Sequence, residues 1–476
     1  MALPTNNKVS GATIYSPLGD VKNITICDIT FTTGSATTYS VGDTLPNANI
    51  AFVGGEFNGS ETMSVALFDH WNQQWKNRGY KDVTFSGFTC NSAETDYRGG
   101  LIRSYQSNVF MENATFRDNA VSGSCTVLYA NSWETFIKDC TFIGNTATKD
   151  GGVIGSWTTM HISGSTFYDN CATHGGAIVL NASNSVTIES NDLATVFDSN
   201  YNAVHNGTFN ISANATAKFF NDKSDAVTAM YFNIYGTAIF SGNAGSAINL
   251  LFNDGSGFAT SSTLTVSGSL IAETASDKVS AYHITLESGA YIETAADFNA
   301  SVSTISVTDT DFKFDNTQGI TISAMDFKDT ASTITFAGNA QVNFTVTNEQ
   351  AQDLSKVGIS VSADVLNKNN GHVIANNIAL GENQTITVGE KQYAIGQEFV
   401  TGDYAYSFAN ANNQLTLAKR ENATISDGAV IDTNFINEGS ESLITGGEIN
   451  AVFVGTDLTS GNVNTEVQDE SNTPEW

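Results

Sequence analysis

Three residues within six positions have the makings of a reactive or metal-binding site. They are Asp169, Cys171 and His174 in "TFYDNCATHGGAI", Thr166 to Ile178. A carboxylate, a thiol and an imidazole this close together can pair a nucleophile with a base, or contribute metal ligands. Neighbouring stretches of similar pattern argue against both. Asp118 and Gly144 stand where Asp169 does, and Ala120 and Thr146 stand where Cys171 does. No second His or Cys falls at the equivalent place in the adjacent repeat. The histidines, His70, His161, His174, His205, His283 and His372, are scattered. No metal and no cofactor are therefore expected. Cys27, Cys90, Cys125, Cys140 and Cys171 are odd in number and include no CxxC, so they are read as small buried side chains.

Carboxylates offer a second possibility. Hydrolysis of a glycoside needs two of them across one cleft. "VTDTDFKFDN" places Asp309, Asp311 and Asp315 at even spacing, hence on one face of a strand. Lys313 shares that parity, but Arg98 and Arg103 lie far away in sequence. The reading is a solvated acidic face, and no catalytic residue is assigned. A third stretch, "LFDHWNQQWKNRGYKD" from Leu67 to Asp82, concentrates Trp71, Trp75 and Tyr80 with His70, Lys76, Arg78 and Lys81. Exposed Trp, Tyr and Arg are typical binding anchors. Trp133 and Trp157 follow at a spacing of almost one repeat. The candidate ligand-binding residues are thus Trp71, Trp75, Tyr80, Trp133 and Trp157.

The elements that must position these residues repeat along the chain. "FTCNSAETDYRGGLI" starts at Phe88, "FRDNAVSGSCTVLY" at Phe116, "FIGNTATKDGGVI" at Phe142, "FYDNCATHGGAIVL" at Phe167 and "FDSNYNAVHNGTF" at Phe197. Weaker copies start at Phe240 and Phe336. Period-2 stretches such as "NVFMENATF", "TFIKDCTF" and "MHISGSTF" precede the Phe and argue for short half-buried strands. No helical periodicity intervenes; only "VTNEQAQDLSKV", Val346 to Val357, suggests a helical turn. A period near 25 built from strands alone indicates a β-solenoid, with coils pairing in parallel about 4.8 Å apart. Phe116, Phe142 and Phe167 are expected to stack inside as a ladder. Asn119, Asn145 and Asn170 are expected to stack at a corner, where Asn tolerates the left-handed conformation. Gly175 and Gly176, like Gly99-Gly100 and Gly151-Gly152, mark a second corner that excludes a Cβ.

The paired signatures FxxN and GGA[ILV] resemble the polymorphic outer-membrane-protein repeats of bacterial autotransporter passengers. Phe167–Asn170 with Gly175–Ile178 carries both, and Phe142–Asn145 with Gly151–Ile154 carries both with Val for Ala. Phe116–Asn119 keeps the first half, with Ser124-Cys125 where the glycines belong. The resemblance covers Phe85 to about Asn200. It implies an all-β fold, a right-handed parallel β-helix, displayed on a cell surface or outer membrane or secreted.

The expected organisation is a parallel β-helix over residues 1–345, clearest over 83–205. A small β module or insertion follows over 346–420, where Gly-Glu, Gly-Gln and Asn-Asn turns suggest hairpins. Residues 421–459 resemble adhesin-type glycine repeats, with Gly428 and Gly447, and Phe435-Ile436 and Phe453-Val454, on one spacing. Residues 460–476 form a polar tail. A net charge of −29 opposes nucleic acid and anionic lipid as partners. No apolar run is long enough for a transmembrane helix, and the first residues lack the pattern of a signal peptide. The expected function is adhesion, through contact with a host-cell protein or glycan, without catalysis and as a monomer. A carbohydrate-active β-helix lyase or hydrolase and a purely structural stalk are the alternatives.

Overall fold

A computed structural model gives the structure of the protein. It describes most residues of 49–421, except 60–61, 64–65, 71–76, 92–99, 132, 252–261 and short segments after 274; outside that range it describes 8–10, 23–32 and a few strand residues up to 444. The fold is an all-β solenoid of stacked parallel sheets. The chain divides into two compact units, residues 1–290 with 299–303, and residues 291–298 with 304–476.

In the first unit the coils up to Ala147 contribute strands to three sheets, and the described residues of later coils contribute strands to the first and third only. The coil from Glu134 to Ser156 shows the pattern. Strands Glu134–Lys138 and Thr141–Ile143 belong to the first sheet, Thr146–Ala147 to the second and Ile154–Ser156 to the third. Each pairs in parallel and in register with the coils on either side, as Phe142 does with Phe116 and Phe167. Left-handed residues make the bends. Asp82, Asn113, Asp139 and Gly164 separate the two strands that a coil gives to the first sheet, and Gly87, Asp118, Gly144, Asp169 and Ser199 make the corner at which the chain leaves it.

The interior is a column of phenylalanines. Phe57, Phe85, Phe116, Phe142, Phe167, Phe197, Phe219 and Phe240 stack with ring centroids 4.5–5.2 Å apart and interplanar angles of 12° or less. All are buried. The spacing matches that between paired strands, so an in-register aromatic must lie on its neighbour's face. Burial of each ring contributes roughly 2 kcal/mol, and each stacked pair about 1 kcal/mol more.

Two sequence expectations are corrected here. The first clear coil starts its motif at Phe85, and Phe88 takes the place of the Asn; its backbone N–H donates to Asn119 Oδ1 at 3.0 Å. The corner asparagines are also not left-handed. Asp118, Gly144 and Asp169, each one position earlier, carry the positive φ, which leaves Asn119, Asn145 and Asn170 free to point inward. The second corner is tight. Gly151 and Gly175 have φ of 73° and 60°, and a Cβ on Gly176 would lie 2.5 Å from the Tyr201 carbonyl oxygen. Cys125 stands where Gly151 stands one coil later, adopts φ of 60°, and buries its sulfur in the space that Gly155 leaves open.

In the second unit, strands Tyr291–Thr294, Asp311–Asp315, Thr333–Ala337, Gly358–Val361 and Thr385–Val388 continue the parallel pairing. The order then changes to antiparallel. Thr385–Val388 pairs with Lys391–Ala394, and His372–Asn376 pairs with Gln414–Glu421, which joins Tyr404–Ala411 and Glu398–Thr401. Tyr393, Phe399, Tyr406 and Phe408 form its aromatic centre. Antiparallel strands of this kind occupy a sheet edge that would otherwise invite association. The one helix among the described residues is Ala363–Lys368, downstream of the helical turn expected in 346–357, where Gln352–Asp353 is a strand. The glycine and phenylalanine positions of the 421–459 repeats lie outside the described residues.

Candidate functional site

The outward face of the first sheet carries the most developed side-chain arrangement. On strands Asn108–Glu112, Glu134–Lys138 and Thr159–Ser163, alternation turns Val109, Met111, Ile137, Met160 and Ile162 inward. Phe110, Phe136 and His161 then fall in register on the outside. Their rings stack, Phe110 on Phe136 at 5.1 Å and 6°, Phe136 on His161 at 4.9 Å and 11°. His161 Nδ1 lies 2.7 Å from Glu189 Oε1, which fixes that end of the stack.

Among the described residues the other end is open. Phe110 pairs with Gly79, and Gly79 pairs with Ala51, so two successive coils offer no bulky side chain beneath the ring. Phe110 is 40% exposed, although a large apolar ring gains by burial. The step is walled on both sides. Along one run Asn49, Asn77 and Asn108, where Asn49 Oδ1 accepts from Asn77 N–H at 2.9 Å and Asn77 Oδ1 accepts from Asn108 Nδ2 at 3.3 Å. Along the other, Lys81 Nζ meets Glu112 Oε2 at 3.0 Å. A groove of about 270 Å³ lined by Gln106, Asn108, Trp133 and Glu134 adjoins the asparagine side. Trp133 is 55% exposed, and Asn108 Oδ1 is buried with no hydrogen-bond partner among the described residues. An aromatic plane beside amide and carboxylate groups is a surface that can receive the apolar face of a polar ring and hydrogen-bond its rim.

The residues singled out in the sequence are dispersed. Tyr80 is not a surface anchor: it is buried, stacks on Phe52 at 5.7 Å, and burial drives its hydroxyl well above the usual phenol range. Arg78 also points inward, because both lie on the core side of strand Asn77–Lys81. Desolvation lowers its guanidinium to about 10. Trp71 and Trp75 lie outside the described residues, as does Arg98. Trp157 is half-buried with its ring 5.0 Å from Tyr129. Of the ligand-binding candidates among the described residues, Trp133 alone lines this groove.

Asp169 and His174 turn to different partners, and Cys171 bridges the coil before it through its backbone. Asp169 Oδ1 accepts from Lys223 Nζ at 2.5 Å, Cys171 is exposed beside Thr146, and His174 Nδ1 lies 2.8 Å from Asp150 Oδ1. The equivalent place in the adjacent coil holds no histidine, as expected, but His205, which pairs in register with Val179, reaches back to stack on His174 at 4.9 Å. Its Nδ1 is taken by Thr228 Oγ1 at 2.7 Å. Among the described residues no three His, Cys, Asp or Glu converge on one point. Cys90, Cys125 and Cys140 are buried as expected, whereas Cys27 and Cys171 are exposed. Burial raises the Cys140 thiol to about 12, which keeps it protonated and unreactive.

Asp309 lies outside the described residues, and Asp311 and Asp315 belong to the strand Asp311–Asp315. Lys313 is engaged by Glu293 at 2.8 Å. Burial disfavours the Glu293 carboxylate, but hydrogen bonds from Lys313 and Tyr291 outweigh it and hold the group below the usual range.

Compared with protein-family models, curated proteins and solved structures, the chain matches none.

Proposed function

We propose that this chain is an extended, surface-displayed or secreted β-solenoid that binds carbohydrate on the outward face of its first sheet, without transforming it. The observation that carries the reading is the open end of the Phe110–Phe136–His161 stack, next to the groove of Gln106, Asn108, Trp133 and Glu134. A pyranose ring presents axial C–H groups on one face and hydroxyls around its edge. The Phe110 face would take the first, and the asparagine run and Glu134 the second. The repeat's resemblance to polymorphic outer-membrane-protein passengers supports display at the surface of a bacterium, with adhesion to a host glycan as the outcome. The stack extends a rigid site on paired strands, and rigid sites lose little entropy on binding.

A glycan array followed by calorimetry tests this. Phe110→Ala and Trp133→Ala should each weaken binding to the best glycan at least tenfold while leaving the circular dichroism unchanged. Depolymerisation of an acidic polysaccharide by the purified chain would instead support the lyase or hydrolase alternative. Failure to bind any glycan would leave the stalk. Antibody labelling of intact cells tests surface display, and sedimentation tests the monomer.

A further inference from the structure

Beside the phenylalanine column runs a second one, built from buried amides. Asn119, Asn145, Asn170, Asn200, Asp222, Asn243 and Asp277 follow one another at the corner after the ladder Phe. Each asparagine bonds the same way. Its Oδ1 accepts from the residue one coil earlier, and its Nδ2 donates to the next Oδ1 and to the carbonyl of a ladder phenylalanine. Asn170 shows all of this: its Oδ1 accepts from Asn145 N–H and Nδ2, both at 3.0 Å, and its Nδ2 reaches Asn200 Oδ1 at 3.0 Å and the Phe142 oxygen at 3.1 Å. Between successive members of the column the protons therefore point toward later coils, while the other Nδ2 proton goes to the ladder carbonyl of the coil before.

Two aspartates interrupt this amide chemistry, with different consequences. Asp277 is the last link in the column described here, where only acceptors are required. Its Oδ1 accepts from Asn243 N–H and Nδ2, and its Oδ2 accepts from Gly242 N–H and from Thr274 N–H and Oγ1. Asp222 lies mid-column. Its Oδ1 accepts from Asn200 N–H at 2.9 Å and Nδ2 at 3.4 Å. Its Oδ2 occupies the place where its neighbours carry Nδ2, and there it is buried with no hydrogen-bond partner among the described residues. By the repeat, the atoms that Nδ2 would serve are Asn243 Oδ1 and the Phe197 carbonyl, both acceptors. An ionised carboxylate would set three oxygen acceptors against one another without water. A carboxylic acid donates its O–H and restores the relay.

We propose that Asp222 is a protonated link in this column, and that loss of its proton is a pH-sensitive release for the coils joined by Asn200, Asp222 and Asn243. Burial is the main cause that pushes this carboxyl up, to about 8, with the charges of Asp198 and Asp277 adding to it and the Asn200 hydrogen bonds opposing it. Lys223, next in sequence, turns away to Asp169. The ordinary value for an unfolded aspartate is about 3.9. Between those two values the folded coil holds a proton that the open chain does not. Stability of the coil therefore falls as pH rises through that window and levels off above the folded value.

The test uses the full chain and its Asp222→Asn variant. Infrared or carbon NMR of labelled Asp222 should show a protonated carboxyl at pH 6. Hydrogen exchange, corrected for intrinsic rate, should show opening at the Asn200, Asp222 and Asn243 amides rising by about tenfold per pH unit toward pH 8. The Asn145 and Asn170 amides should lack that slope. Asp222→Asn should abolish it and protect the three amides more strongly at pH 8. A carboxylate signal at pH 6, or equal pH slopes in both proteins, would overturn the proposal. The spectroscopic result on the wild-type chain decides the protonation even if the variant folds poorly.

Discussion

At the scale of single residues, stacked rings play opposite roles inside and outside the coil. Phe142 is buried between Phe116 and Phe167, whereas Phe110 stacks on one side only. Phe142→Ala should remove both contacts and leave a cavity, costing about 3–5 kcal/mol in denaturant unfolding. Phe110→Ala should change stability by much less, while reducing glycan affinity. The asparagine column allows a sharper comparison. Asn145→Asp would place a further buried carboxyl where Nδ2 now serves Asn170 and Phe116. It should destabilise the chain more at pH 8 than at pH 5, reproducing the defect that Asp222 already carries. Equal losses at the two pH values would show that shape alone is being measured.

At the scale of the element, the coil's two corners depend on different properties. The first needs a left-handed residue before an inward amide; the second needs absent side chains. A Cβ at Gly152 would sit 2.1 Å from the Gly176 carbonyl oxygen, backbone against backbone, with no flexible group to yield. Gly152→Ala should therefore cost about 1–3 kcal/mol, whereas Gly123→Ala, with nothing within 4 Å, should stay within about 0.5 kcal/mol in the same urea titration. The repeat that makes these corners was readable because Phe, Asn and Gly each answer a backbone requirement. Its exact register was less so. "FSGFTCN" offers two phenylalanines, and only the stacking of Phe85 between Phe57 and Phe116 decides between them. The outward stack was legible in principle: Phe110, Phe136 and His161 each stand six residues before a ladder Phe. Sequence alone does not separate it from the buried ladder, because Phe is the residue type of both faces. Tyr80 and Arg78 misled for the related reason that polar types do not reveal parity until the strand is known. The Asp222 rung, "FFND", hides its motif by replacing the Asn, and the buried-acceptor conflict emerges only with coordinates.

At the scale of the whole molecule, charge and the buried column both make stability depend on conditions, and they can be separated. The chain holds 49 acidic and 20 basic side chains, a net charge of −29. Exposed carboxylates are ionised above about pH 5, so their mutual repulsion is nearly constant from there to pH 8 and is weakened by salt. Raising sodium chloride from low ionic strength to 0.15 M, about one Debye length of 8 Å, should therefore raise the thermal midpoint at every pH in that range. The Asp222 contribution behaves differently, because its carboxyl is buried where ions do not reach. It should lower the midpoint between pH 5 and pH 8 at either salt concentration. The difference in midpoint between the wild-type chain and Asp222→Asn should thus grow with pH and ignore salt, and scanning calorimetry on the four combinations of pH and salt reads both. A difference that shrinks with salt as the overall repulsion does would assign the pH dependence to the acidic surface and leave the column a passive spine.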